Sequence, residues 1–201
     1  PPPPGGGGGG FFLWFGGVVG LGVWVGGLGG VFVEVLEDNK DSAETWEQAE
    51  ALLQSKALKH AMGKAELKPE DMDLMVAGDL LNQCTGSSYG LKDYYIPFLG
   101  IYGACSTFAE GLLLAGAMVN GGYVGNAAAV TSSHFSSAER QFRFPLNYGG
   151  VRTPTAQWTA TAAGAAIVVP ESKPPYIRAA TVGKIQDMGI TDLNNMGAAM
   201  A

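Results

Sequence analysis

A chain of 201 residues is long enough to bury about 70% of the surface its unfolded form exposes, and its 47% hydrophobic content supplies one sizeable core. Eighteen acidic against twelve basic residues give a net charge of −6, without the basic footprint of a nucleic-acid binder. Two cysteines, Cys84 and Cys105, are too few for a secreted disulfide framework and point to a reducing compartment.

The chain opens on four prolines and six glycines, and residues 11–33 then carry no charge. That stretch is long enough to cross a bilayer. Eight of its 23 residues are glycine, however, and each costs a helix roughly 1 kcal/mol against alanine. A strand-and-loop segment is expected, not a membrane helix. No basic start and no small-residue cleavage site are present, so no signal peptide is expected. Homopolymer blocks followed by an alphabet of Gly, Val, Leu, Phe and Trp read as residues assigned without side-chain information. Residues 1–30 are therefore set apart as an atypical, unreliable Gly-rich segment.

Further along, residues 42–64 predict a helix. Trp46, Ala49, Leu52, Leu53, Ala57 and Leu58 recur at helical spacing. Ser42 or Thr45 is placed to cap it, with Glu44 and Glu47 in its first turn. Residues 67–73 form a polar turn around Pro69. Leu74–Ala77 is a short buried strand, and residues 96–102 (IPFLGIY) a second apolar run. A helix follows Cys105 and runs to about Asn120. Its run LLLAGAM is apolar on most faces, so this helix is expected inside the body. Ala127–Thr131, Ala162–Val169 and Ile177–Ile185 are three further strand candidates. Strands alternating with helices imply an α/β fold with a largely buried sheet.

Chemistry-bearing residues cluster at the ends of these strands. Cys105 lies between an apolar run and a helix, where helix N–H groups favour a thiolate or an anion. The alternative is a small buried cysteine. Cys84, in NQCTGSS, carries a weaker signal. Asp79 follows a strand end, where it either faces a ligand crevice or caps the residues after it. His134 follows AAAVTSS and is either a ligand contact or a structural histidine. Arg140 and Arg143, in AERQFRFP, suit a carboxylate-bearing partner or a structural pairing with Glu139. His60 is expected at the surface. Metal binding has no support, because no His or Cys pair shows zinc-like spacing, and no phosphate loop precedes a Lys-Ser/Thr pair.

Several long stretches resemble one family. AGDLLNQ at 77–83, PFLGIYGACST at 97–107, NGGY at 120–123, AAVTSSHFSSAERQFRFPLNYGG at 128–150, RTPTAQWTATAAGAA at 152–166 and ATVGKIQDMGITDLNNMGAAMA at 180–201 are similar to the stage V sporulation protein AD family. The resemblance spans about residues 32–201. It implies a thiolase-like layered α/β/α fold, with residues 31–201 forming the N-terminal half of a duplicated domain. It implies binding of dipicolinic acid (pyridine-2,6-dicarboxylic acid), free or as its calcium complex, and no other cofactor. It also implies a peripheral place at the inner membrane of the developing spore, beside other subunits of a dipicolinate channel, and a homodimer. The family positions lining its ligand pocket correspond to Asp79, Cys105 and His134, with Arg140 or Arg143 close by. Cys105 occupies the thiolase nucleophile position, so the alternative is a thiolase- or ketosynthase-like acyltransferase with Cys105 as nucleophile.

Overall fold

The computed structural model describes residues 12–21, 32–36, 38–142, 160–170 and 176–191. Six strands form one mixed sheet: β1 (Phe12–Leu21), β2 (Phe32–Leu36), β3 (Leu74–Gly78), β4 (Phe98–Gly100), β5 (Ala127–Ser133) and β6 (Ala162–Val169). Their order is β2-β1-β6-β5-β3-β4. β4, β3 and β5 run parallel, β6 is antiparallel to β5 and β1, and β2 is parallel to β1. β1 thus draws part of the Gly-rich segment into the same sheet as extended backbone, paired from Phe12↔Val169 to Gly20↔Ala162.

The helices are α1 (Trp46–Ala65), α2 (Thr85–Leu91), α3 (Thr107–Asn120) and α4 (Phe135–Phe142). α1 begins at a capping box. Thr45 Oγ1 accepts from Gln48 N–H at 3.2 Å, and Gln48 Oε1 accepts from Thr45 N–H at 3.2 Å. Such a cap contributes about 1 kcal/mol. α1 ends at Glu66 in the left-handed region (φ 56°), where Leu67 N–H reaches back to the Met62 carbonyl.

Strand periodicity then sorts the core into two layers. Met75, Ala77, Ala128, Val130, Ala163, Ala165, Ile167 and Val169 face α1, where they meet Leu53, Ala57, Leu58, Ala61 and Met62. Leu74, Val76, Ala127, Ala166 and Val168 face α3, meeting Ala115 and Val119. The result is an α/β/α sandwich. Alanine dominates β5 and β6, which lets helices approach both faces closely; a Cβ on Gly111 of α3 would lie 3.3 Å from the Ala129 Cβ.

Three expectations need correction. Residues 177–185 are not a strand but irregular chain, exposed from Arg178 onward. Their apolar letters, Ile177, Val182 and Ile185, find no ladder, and Ile177 instead packs on α3. Residues 96–102 yield only the three-residue β4, whose side chains are exposed because it is the sheet's edge. α3 is not buried all round either. Thr107, Gly111, Ala115, Gly116 and Val119 are buried, while Leu112, Leu113, Leu114 and Met118 are half-buried.

Gly78, the last residue of β3, is where these layers come closest. A Cβ there would collide with the Ile101 carbonyl oxygen and sit 2.6 Å from Thr107 Cγ2. The first obstacle is backbone and cannot rotate away. Gly78→Ala should therefore lower the unfolding free energy by about 1–3 kcal/mol, the usual cost of overpacking. Urea denaturation against the parent chain measures it.

Candidate functional site

Parallel β3, β4 and β5 place their carboxyl ends along one edge of the sheet, where ligands of open α/β sheets bind. The register brings Gly78 opposite Thr131, Ala77 opposite Gly100, and Ser133 opposite Ala162. Asp79, Cys105 and His134 stand in the segments that leave these three ends. The edge thus gathers all three residues, but gives them different roles.

Asp79 is buried, and both of its carboxylate oxygens accept hydrogen bonds. Oδ1 accepts from Leu81 N–H at 2.7 Å; Oδ2 accepts from Ser87 N–H at 2.7 Å and Ser87 O–H at 2.6 Å. Asp79 therefore ties the β3–α2 loop and the first turn of α2 together. That loop is strained, with Gln83 (φ 63°) and Cys84 (φ 53°) consecutive in the left-handed region. Cys84 is buried, and its thiol donates to the Ile101 carbonyl at 3.2 Å. Burial, reinforced by the Asp79 charge, pushes the Cys84 thiol above its ordinary value, so it is a poor nucleophile.

Cys105 is exposed. It lies in the short 3-10 turn Ala104–Ser106 that opens directly into α3, after Ala104 in the left-handed region (φ 47°). The turn is fastened locally. Ser106 O–H donates to the Gly103 carbonyl at 2.8 Å, Thr107 O–H to the Ala104 carbonyl at 2.8 Å, and Gly103 N–H to Thr107 Oγ1 at 3.2 Å. The buried-cysteine alternative thus applies to Cys84 and not to Cys105.

His134 is wholly buried, and both ring nitrogens are engaged. Nε2 lies 2.6 Å from the Asn39 carbonyl, which can only accept, so Nε2 carries hydrogen. Nδ1 accepts from Ser136 N–H at 3.2 Å. Burial lowers the pKa of the imidazole, although the Asn39 carbonyl opposes this. His134 is thus a neutral clasp between the end of β5 and the loop after β2, with the Trp46 ring 5.5 Å away. Arg140 lies on α4; its side chain, and all of Arg143, fall outside the described residues. His60 is partly exposed and pairs with Glu34 Oε2 at 3.2 Å.

Beneath the edge runs a polar chain that sequence reasoning missed. Gln54 Nε2 contacts the Gly78 carbonyl (3.1 Å), Ser87 Oγ (3.0 Å) and Ser132 Oγ (2.8 Å). Ser87 passes its hydrogen to Asp79, and Ser132 passes its own to Glu50 Oε1 at 2.9 Å. Ser137 O–H reaches Glu50 Oε2 at 2.9 Å and the His134 carbonyl at 3.1 Å. Glu50, Gln54, Ser87, Ser132 and Ser137 are all buried. A signal existed: Glu50 and Gln54 are four apart and fall on the stripe formed by Ala49, Leu53 and Ala57, so they are polar residues on an apolar face.

With the edge so defined, its relatives can be compared. The family model described as Stage V sporulation protein AD (SpoVAD) matches residues 13–201. The chain belongs to the stage V sporulation protein AD family. The family's protein from Bacillus subtilis (strain 168) is 44% identical over 176 residues, which is 88% of this chain and 52% of that protein. The chain thus spans about half the length of that curated relative. Family membership places it among sporulation proteins. The match also reaches further forward than residue 32, taking in most of β1. The crystal structure of 3-oxoacyl-[acyl-carrier-protein] synthase III from Aquifex aeolicus VF5 aligns with a TM-score of 0.50 at 21% identity, over 69% of this chain and 41% of that one. That likeness shows the thiolase-like fold; function has to be read from the site.

Burial pushes the Glu50 carboxyl up to about 7 against the opposing hydrogen bonds from Ser137 and Ser132, with Asp79 adding to the rise. Between about pH 4.5 and 7 the folded chain therefore holds a proton that the unfolded chain has lost. This contribution is complete below about pH 4.5 and is lost as pH rises through about 7, a change of about 3 kcal/mol. Glu50→Gln, which keeps the shape without the charge, should flatten that decline. Unfolding free energies of both proteins across this range give the difference directly.

Proposed function

We propose that the protein binds dipicolinic acid at the carboxyl edge of its sheet and supports the uptake of that compound into the developing spore. It would do so as a peripheral subunit of a membrane channel complex at the spore inner membrane. The observation that carries the reading is the exposed Cys105 at the amino end of α3, beside loops braced by Asp79 and His134. Dipicolinate is a flat dianion, and a helix N-terminus offers N–H groups and a positive dipole end to a carboxylate. Arg140 and Arg143 are the proposed guanidinium partners, since each can hold a carboxylate bidentately. Asp79 and His134 belong to the same set but act from below, by fixing the loops. The ligand is taken free or as its calcium complex, and residues 31–201 act as one half-domain of a duplicated fold. No helix among the described residues is long and apolar enough to cross a membrane.

Acyl transfer from Cys105 is the competing reading, favoured by its exposure at a helix start. Such a thiol needs a nearby base. Of the chain's two histidines, His60 pairs with Glu34 and His134 is spent on Asn39 and Ser136. Neither is therefore placed as a base for Cys105. Titration calorimetry with dipicolinate should show saturable binding. Cys105→Ala should weaken it by roughly tenfold, about the value of one polar contact, with thermal stability unchanged. His134→Ala should instead lower stability, because it strands the Asn39 carbonyl. Unaltered affinity in Cys105→Ala, or a covalent acyl adduct on Cys105 seen by intact mass after incubation with acyl-coenzyme A, would reject the reading.

A homodimer is part of the same proposal. β4 is an edge strand whose Phe98 and Leu99 are 41% and 42% exposed, with Tyr95 and Tyr102 exposed nearby. An apolar, unprotected edge invites strand pairing, and two copies of one edge pair about a two-fold axis. Leu99→Asp should convert the dimer to monomer in sedimentation velocity. A parent chain already monomeric at micromolar concentration would remove the dimer.

A further inference from the structure

Two buried carboxyl groups, Asp79 and Glu50, share one hydrogen-bond chain whose intermediate members, Ser87, Gln54 and Ser132, are all neutral. Asp79 accepts three hydrogens, two of them from backbone N–H groups that cannot turn away. Among the described residues Glu50 accepts two, both from hydroxyls that rotate freely. One of these has another acceptor at hand, because Ser137 Oγ lies 3.1 Å from the His134 carbonyl. A protonated Glu50 can therefore donate to Ser137 while Ser137 donates on to His134. Both proton states of Glu50 are hydrogen-bonded without any backbone movement.

Among the described residues, the surroundings of Glu50 hold no cation. Asp79 faces it from the end of β3, and Gly86 of α2 packs against its Cγ side. β5 and α4 present Ser132 and Ser137, with neutral His134 between them, and α1 presents Gln54. The two serines bracket His134, so Glu50 lies directly beneath the segment that leaves β5 at the ligand edge.

We propose that Glu50 is a proton-linked positioning residue: it takes up a proton from solvent when a dicarboxylate occupies the edge above it, so that affinity for the dianion depends on pH. This rests on the dipicolinate reading above. The sign follows from charge. A dianion repels an ionised Glu50 and favours the protonated one, so binding is tightest at low pH and weakens as Glu50 ionises, while the ligand's own carboxylates stay ionised. The upward displacement of the Glu50 carboxyl to about 7 puts this change near neutrality.

The experiment is calorimetric titration of the protein with dipicolinate in two buffers of different ionisation heat, at about pH 6, 7 and 8. The heat difference counts protons taken from the buffer. Above neutrality the parent chain should take up a fraction of a proton per ligand, and its affinity should be roughly tenfold weaker at about pH 8 than at about pH 6. Glu50→Gln should take up none and keep a pH-independent affinity near the parent's low-pH value, which a merely structural role would not produce. Ser137→Ala, which removes one hydroxyl donor and holds the carboxyl less well as an anion, should move the pH midpoint upward. Equal proton uptake in the parent and Glu50→Gln, or none in the parent, would overturn the linkage and leave the ligand reading standing. No binding to either protein at any pH would overturn both.

Discussion

The amide of Gln54 joins parts of the chain that are otherwise far apart. Its nitrogen meets the last carbonyl of β3, a serine of α2 and a serine of β5, and the two serines in turn serve Asp79 and Glu50. Buried polar networks are strong when every member is satisfied and costly when one is not. This one is nearly complete: among the described residues, Gln54 Oε1 is the member without a partner. The ends of β3 and β5, and the starts of α2 and α4, therefore hold their positions jointly. Loss of any hydroxyl would strand a partner at about 1–3 kcal/mol.

That constraint divides labour at the edge. Asp79 and His134 carry the groups a ligand or a proton transfer would want, yet both spend them internally. Cys105, by contrast, is exposed and shows no such tie among the described residues. A site arranged this way has a braced floor and an open rim. Pre-set geometry of this kind lowers the ordering cost of binding a rigid ligand.

The parts of the fold set by period were legible in the sequence. The helical stripe of α1, the buried five-residue β3 and the run Ala162–Val169 all appear where pattern put them. The loop positions of Asp79, Cys105 and His134 followed from strand ends. Three things were hidden, each for a physical reason. Residues 177–185 look like a strand, but a strand needs a neighbour to pair with, and composition does not supply one. The exposure of β4 depends on its place at the end of the strand order, which apolar letters do not encode. The polar chain depends on partners from α2, β5 and α4, so the stripe places Glu50 and Gln54 inward but does not say which groups they meet there.

Backbone strain points to the same edge. Among the described residues, seven other than glycine have left-handed φ. Glu66 and Tyr95 end helices at the opposite edge, where such a conformation closes a turn. The other five, Asp41, Ser42, Gln83, Cys84 and Ala104, lie in the segments leaving β2, β3 and β4. Each costs roughly 1 kcal/mol, and two consecutive pairs are unusual for residues with a Cβ. Such a cost persists only where the surroundings over-determine the conformation. Asp38 accepting from Lys40 and Asp41 N–H, Lys56 paired with Asp41, and Cys84 bound to Ile101 are those surroundings. The strained loops and the braced network therefore serve one end of the sheet. Among the described residues, the opposite end holds none of the buried polar chain.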